Sequence, residues 1–275
     1  MITCRNYAAK VENYIDSAKK SLTFKKIYSQ SENLLETLPE AIKRSHNFVL
    51  PDYGIILNAG FKGLVDLESV NLPYPIITLE IGNQGILITA MEGDSEIVFF
   101  TFQYDDKKRW ALTPAIGRFS RIKPFTFKDG EFGIDIERTL IFNDDFENEI
   151  FTEHVKQEIK DQALFVCETS GHIILEFIEA LSCRNVEEAV CQKASSKNTQ
   201  RIKSHKLPIY ETKFLTLKGA VKEKNATGEQ GTGTSPRQHL RRGHIRRLPK
   251  GNIWVNSCVV GDASNGVISK QYILK

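Results

Sequence analysis

The chain has 275 residues, of which 41% are hydrophobic and 26% charged, enough for one large domain or two small ones with a real core. It contains no stretch of about 18 apolar residues, and its start, Met1-Ile2-Thr3-Cys4-Arg5-Asn6, has no apolar segment; both exclude a spanning helix or a recognisable signal peptide, so a soluble cytoplasmic protein with no membrane partner is expected. The net charge of +3 hides a division: residues 184–275 hold 18 Lys+Arg against 6 Asp+Glu, a net of +12, and residues 1–183 hold 19 against 28, a net of −9.

Such asymmetry points to a basic segment with an anionic partner, or to a basic part docked on the acidic part of the same chain. The five cysteines, Cys4, Cys167, Cys183, Cys191 and Cys258, are odd in number and never paired as Cys-x-x-Cys. That spacing argues against a disulfide framework and a zinc ribbon, and suits a reducing cytosol. No cofactor is expected.

Residues 5–30 read as an amphipathic helix, with Tyr7, Val11, Tyr14, Ile15, Ala18 and Leu22 at spacings of three and four. A second helical piece carries Leu34, Leu35 and Leu38. Pro39 is expected to begin a new turn rather than continue that helix. From about residue 47 the period shortens. Phe48-Val49-Leu50, Gly54 to Leu57, Pro75 to Ile81, Gly85 to Ala90 and Glu96 to Phe102 suit strands, and Arg109 to Leu112 and Gly133 to Ile136 could add two more. A meander-like antiparallel sheet follows, with helices over one face. Asp135 and Glu137 share a strand face but nothing completes an acid–base pair, so a solvated edge is expected.

Asp144 to Ser182 returns to a helical period, and Thr169-Ser170-Gly171 is expected to break it into two helices. Lys193 to Lys206 reads as a basic loop. Pro208 to Leu217 alternates as a strand. Lys222 to Thr234, with three glycines, reads as a linker. Ile253-Trp254-Val255, Val259-Val260 and Gln271 to Leu274 read as short strands. The expected fold is therefore α+β: N-terminal helices, a central antiparallel sheet, a helical pair and a basic C-terminal β unit. The natural division is 1–183, acidic and suited to partner recognition, and 184–275, basic.

The densest chemistry lies in Ser235-Pro236-Arg237-Gln238-His239-Leu240-Arg241-Arg242-Gly243-His244-Ile245-Arg246-Arg247, followed by Lys250 and Trp254. Arg237, Arg241, Arg242, Arg246, Arg247 and Lys250 are candidates to hold phosphate, with Trp254 and Tyr210 as stacking platforms for single-stranded RNA. A second possibility is a metal-free ribonuclease with His239 and His244 as acid and base. A third is structural, the arginines pairing with Glu147, Glu149 or Glu153 in a protein-binding module. A metal site from Cys183, Cys191, His239 and His244 lacks a familiar spacing, so no metal is assigned.

Several segments recur together: Leu181-Ser182-Cys183-Arg184-Asn185-Val186, Lys206-Leu207-Pro208-Ile209-Tyr210-Glu211, Ser235-Pro236-x-x-His239-x-Arg241-Arg242-Gly243-His244-x-Arg246, Ile253-Trp254-Val255 and Val259-Val260-Gly261. In that order they resemble a family of phage, prophage and plasmid proteins that includes a type V-A anti-CRISPR. Leu72-Pro73-Tyr74-Pro75-Ile76-Ile77 resembles the same family more weakly. The resemblance implies a mobile-element accessory protein acting in the host bacterial cell. It implies a partner that is a protein or nascent peptide, since the relative lowers Cas12a mRNA and biosynthesis by recognising the nascent N-terminal peptide. A non-enzymatic role fits that implication.

Overall fold

Runs such as Ile86-Leu87-Ile88 and Val98-Phe99-Phe100 leave no polar face, so a sheet built from them must be covered on both sides. The computed structural model describes residues 4–20, 32–51, 71–82, 84–104, 109–120, 136–141, 153–218, 237–241, 244–246, 248–255, 258–260 and 262–267. In chain order the elements are α1 (Tyr7–Ala18), α2 (Glu32–Arg44), β1 (His46–Leu50), β2 (Ile76–Ile81), β3 (Ile86–Glu92), β4 (Glu96–Tyr104), β5 (Trp110–Ser120) and β6 (Glu137–Leu140). Then come α3 (Glu153–Leu181), β7 (Val186–Gln192), the short α4 (Asn198–Lys203) and β8 (Thr212–Leu217). The chain ends on β9 (Arg237–Arg241), β10 (His244–Arg246), β11 (Ile253–Val255), β12 (Cys258–Val260) and β13 (Asp262–Val267). The strands read at Gly54 to Leu57 and Gln271 to Leu274, and the linker at 222–234, lie outside the described residues.

Eight strands form one sheet in the order β6-β5-β4-β3-β2-β1-β8-β7. It is mixed, not antiparallel as expected: β1 runs parallel to β2 and to β8, and the remaining pairs are antiparallel. Hairpin logic holds from β2 to β5, where turns are short. It fails at β1, whose partners are distant in sequence and need crossover connections. β7 and β8, from the basic part of the chain, lie in the same sheet as β1–β6.

The helices cover opposite faces rather than one. On one side α3 packs Ala163, Cys167, Ile174, Phe177 and Ala180 against Phe48, Leu79, Ile97 and Phe99. On the other, Tyr7, Val11 and Ile15 of α1 and Leu38 and Ile42 of α2 pack against Leu87, Phe100, Phe102 and Ile116. Phe99 and Phe100, adjacent in sequence, are both wholly buried because successive strand side chains point to opposite faces. Each such burial contributes roughly 1.5–3 kcal/mol.

Two helix expectations are corrected. Pro39 sits inside α2, which is continuous to Arg44. The buried Leu38, Ala41 and Ile42 hold that helix by tertiary packing, which outweighs the lost hydrogen bond. The Thr169-Ser170-Gly171 triplet does not break α3, which runs unbroken over 29 residues. Thr169 Oγ1 donates back to the Phe165 carbonyl (2.9 Å) and Ser170 Oγ accepts from Thr101 Oγ1 on β4 (2.8 Å). Gly171 lets the helix approach β6: a Cβ there would sit 2.5 Å from Ile136 Cδ1.

A disulfide joins Cys4 to Cys191, 187 residues apart, correcting the expectation drawn from scattered cysteines. Cys167 and Cys183 are buried free thiols, both pushed up to about 11, chiefly by burial, and so are not poised as thiolates.

Candidate nucleic-acid interface

The end of α3 turns into β7 through Ser182-Cys183-Arg184-Asn185, and this corner holds the 250–254 segment. Asn185 grips one residue from both sides. Its Nδ2 donates to the Trp254 carbonyl (2.7 Å), and its Oδ1 accepts from the Trp254 backbone N–H (2.8 Å). The Arg184 backbone N–H donates to the Asn252 carbonyl (3.0 Å), and Arg184 Nη1 donates to the Lys250 carbonyl (2.9 Å). Asn252 Nδ2 reaches Ser182 Oγ at 3.3 Å. Gly251 adopts φ 110°, a conformation open to glycine, and a Cβ there would come within 3.0 Å of Arg184 Cδ. Segments far apart in sequence, at 181–186 and 250–255, thus form one corner.

The basic stretch enters this corner from the other side. β10 pairs antiparallel with β11, setting His244 opposite Val255, Ile245 opposite Trp254 and Arg246 opposite Ile253. Arg246 and Lys250 are exposed, and Trp254 is partly buried against the α3-side core. β9 belongs to a different small sheet, between β12 and β13, with Val260 opposite His239 and Cys258 opposite Arg241. His239 and His244 therefore stand on strands of separate sheets, and strand pairing does not bring them together. Arg242, Gly243 and Arg247 lie outside the described residues, as do Glu147, Glu149 and Asp135. Glu137 is exposed on the edge strand β6.

Tyr210 has a different role from a stacking platform. Its hydroxyl donates to the Glu12 carboxylate, and its ring packs against the α1–α2 core. Burial first, and then the Glu12 bond, push the phenol far up; burial also raises Glu12. The Tyr210 backbone N–H donates to Asn6 Oδ1 (3.3 Å), and Asn6 Nδ2 donates to the Pro208 carbonyl (2.7 Å). Asn6 stands in the left-handed region at φ 55° and does not cap α1 with its side chain. Glu80, buried on β2, does so instead, its two oxygens accepting from the backbone N–H groups of Arg5 and Tyr7.

A polar cluster on the sheet escaped the sequence reading. Lys213 Nζ meets Glu188 Oε2 at 2.8 Å, and Tyr74 Oη lies 2.9 Å from both Glu188 oxygens. The Tyr74 ring stacks on His46 at 3.7 Å, with Lys213 Nζ 5.0 Å from its centroid. The bond to Glu188 raises Lys213 above its ordinary value, so the amine is a compensated cation and not a nucleophile. The signal was thin: Tyr74 lies in a Pro-Tyr-Pro triplet, while Lys213 and Glu188 meet only through β7–β8 pairing.

Among the described residues, no three His, Cys, Asp or Glu side chains gather as metal ligands. Cys191 is bonded to Cys4 and so is not free to join Cys183 and the two histidines around a metal. No described helix is long and apolar enough to cross a membrane.

The family described as "AcrVA2-like: Anti-CRISPR type V subtype A2 family" matches residues 55–262. No curated protein and no solved structure matches the chain.

Proposed function

This chain belongs to the AcrVA2-like anti-CRISPR type V subtype A2 family, and on that premise we propose that it is a mobile-element accessory protein that down-regulates a type V defence nuclease, Cas12a, inside the host bacterial cell. It recognises a protein or nascent-peptide target through the acidic part, residues 1–183. It contacts RNA through the basic stretch, where Arg237, Arg241, Arg242, Arg246, Arg247 and Lys250 hold phosphates and the exposed part of Trp254 offers a stacking surface. The role is binding, without catalysis.

The observation that carries the RNA reading is the clamped corner. Arg184 and Asn185 fix the backbone of 250–254, so the exposed Arg246 and Lys250 are presented from a rigid edge. Preorganised cations lose less entropy on meeting a phosphate backbone. The net +12 of residues 184–275 gives that edge a long-range field.

The test uses full-length protein freed of nucleic acid by nuclease and high salt. Binding of a fluorescein-labelled single-stranded RNA is followed by anisotropy from about 50 to about 200 mM salt. Affinity should fall steeply with salt, and Arg241→Ala/Arg246→Ala should weaken it and flatten the slope by about 0.7 per lost phosphate contact. An unchanged affinity and slope in the double variant would remove these residues from RNA contact.

A further inference from the structure

Residues 193–206 were expected to be a basic loop, but the chain there folds into a fixed cup. The short α4 is closed by a Schellman arrangement. The Lys206 N–H bonds the Arg201 carbonyl (2.8 Å) and the His205 N–H bonds the Ile202 carbonyl (3.0 Å). His205 takes the left-handed position at φ 54° that glycine usually fills. A β-carbon there is costly, and such positions persist where the surroundings over-determine them.

The surroundings are visible. Asn198 bonds Ile209 twice, Nδ2 to the carbonyl and Oδ1 from the N–H, both at 2.9 Å. The Ser195 N–H also reaches the Ile209 carbonyl (3.1 Å). The 207–210 strap is itself held by Asn6.

The result is a cavity of about 290 Å³ lined by Ser195, Lys197, Gln200, Arg201, Ser204 and Lys206. No carboxylate, aromatic or aliphatic side chain lines it. Arg201 Nε is spent on the Leu207 carbonyl (2.9 Å), which orients the guanidinium. Its two Nη groups, and the ammonium groups of Lys197 and Lys206, have no partner among the described residues. The volume sits at the small end of ligand sites.

We propose that this cup is a phosphate-binding subsite, separate from residues 237–250, that holds a phosphodiester of bound RNA. A peptide would need apolar sockets, which the lining lacks. An oriented guanidinium with two flanking ammonium groups, an amide and hydroxyls matches the charge and acceptors of a phosphate group. Lys197 is the N-cap residue of α4, Arg201 stands in its last turn and Lys206 just beyond it, so the site is built from three side-chain cations rather than from the helix's own N–H groups. Naming RNA as the source of the phosphate rests on the RNA reading above, whereas the cup's chemistry does not.

The experiment compares full-length wild type with Lys197→Gln/Lys206→Gln. Both side chains are exposed and without described partners, so the fold should persist, with circular dichroism as the check. Three probes are titrated: single-stranded RNA, inorganic pyrophosphate and a poly-glutamate peptide. The expected result is RNA affinity reduced about tenfold and a salt slope flatter by about 0.7 per phosphate contact. If wild type ignores RNA but binds pyrophosphate, and the double variant does not, the cup stands and the RNA reading fails. If both proteins bind RNA alike and neither binds pyrophosphate, the cup is overturned while the RNA reading at 237–250 stands. Cup-dependent binding of poly-glutamate alone, or no binding of any probe, also overturns it.

Discussion

Asn185 is a single side chain that fixes a neighbouring strand through both backbone polar groups of one residue, Trp254. Removing it strands the N–H and the carbonyl of Trp254 at a partly buried position. Asn185→Ala should cost about 1–3 kcal/mol in urea unfolding. Trp254 is one of two tryptophans, so its loosening should also red-shift the emission. An unshifted spectrum with unchanged stability would show that the corner does not depend on the clamp. Glu80 makes a second point at this scale. Burial raises its carboxyl, against the lowering effect of the Tyr7 and Arg5 N–H bonds. The folded state therefore keeps the proton to a higher pH than the unfolded chain does. Stability from this group is full below the ordinary carboxylate range and is lost as pH rises through the raised value. The stability gap between wild type and Glu80→Gln should narrow across that rise, read by urea unfolding at stepped pH; a constant gap would contradict it. Neither role was legible from residue identity. Asn185 stood out through the recurring segments that resemble the family, and Glu80 looked like an ordinary strand residue, because the N–H groups it binds come from over seventy residues away.

At the scale of elements, period and run length carried the reading where contacts are local. The strands β1 to β5 lie where apolar spacing puts them, while α1 covers only Tyr7–Ala18 of the helix expected over 5–30, and residues 21–31 lie outside the described residues. The α3 register was legible in its second half, where Ile174 and Phe177 are buried, but not in its first, where Val155 is exposed and Lys156 is buried. Its continuity was not legible either, since a glycine that permits close packing looks the same as a glycine that ends a helix. Gly171→Val would place a side chain where Ile136 and Phe99 already sit. It should destabilise by about 1–3 kcal/mol through overpacking, seen as a lower urea midpoint with an unchanged slope. A variant as stable as wild type would mean that α3 can lift from β6 freely. The parallel pairing of β1 with β2 and β8 was illegible for a physical reason: parallel partners are joined by long connections and leave no turn signature. β7 went unread because Val186-Glu187-Glu188-Ala189-Val190 is an edge strand with little alternation in burial. α4 carries no apolar face of helix length, so its sequence reads as loop.

Across the whole molecule, the acidic and basic parts are bound together more closely than their charges suggest. The boundary at 183/184 falls between α3 and β7, yet β7 and β8 complete the main sheet. The Cys4–Cys191 bond ties the chain's first helix region to the outermost strand. Bridging 187 residues, it restricts the unfolded chain strongly, and its reduction should cost about 2–5 kcal/mol. Urea unfolding with and without reductant checks this, and Cys4→Ser should be indifferent to reductant. Sequence spacing does not reveal such a bond, since the two cysteines meet only after the sheet is complete. The charge asymmetry and the recurring segments were legible at once; the clamped corner and the basic cup they build needed the fold. The central claim is that the chain lowers a type V nuclease by acting on its expression, with the arginine-rich stretch contacting RNA. The most direct measurement is the Cas12a messenger level, by quantitative reverse transcription, in bacteria making this chain or its Arg241→Ala/Arg246→Ala variant at equal abundance. The account predicts a fall with the wild-type chain and recovery with the variant. A messenger level unchanged by the wild-type chain would contradict it.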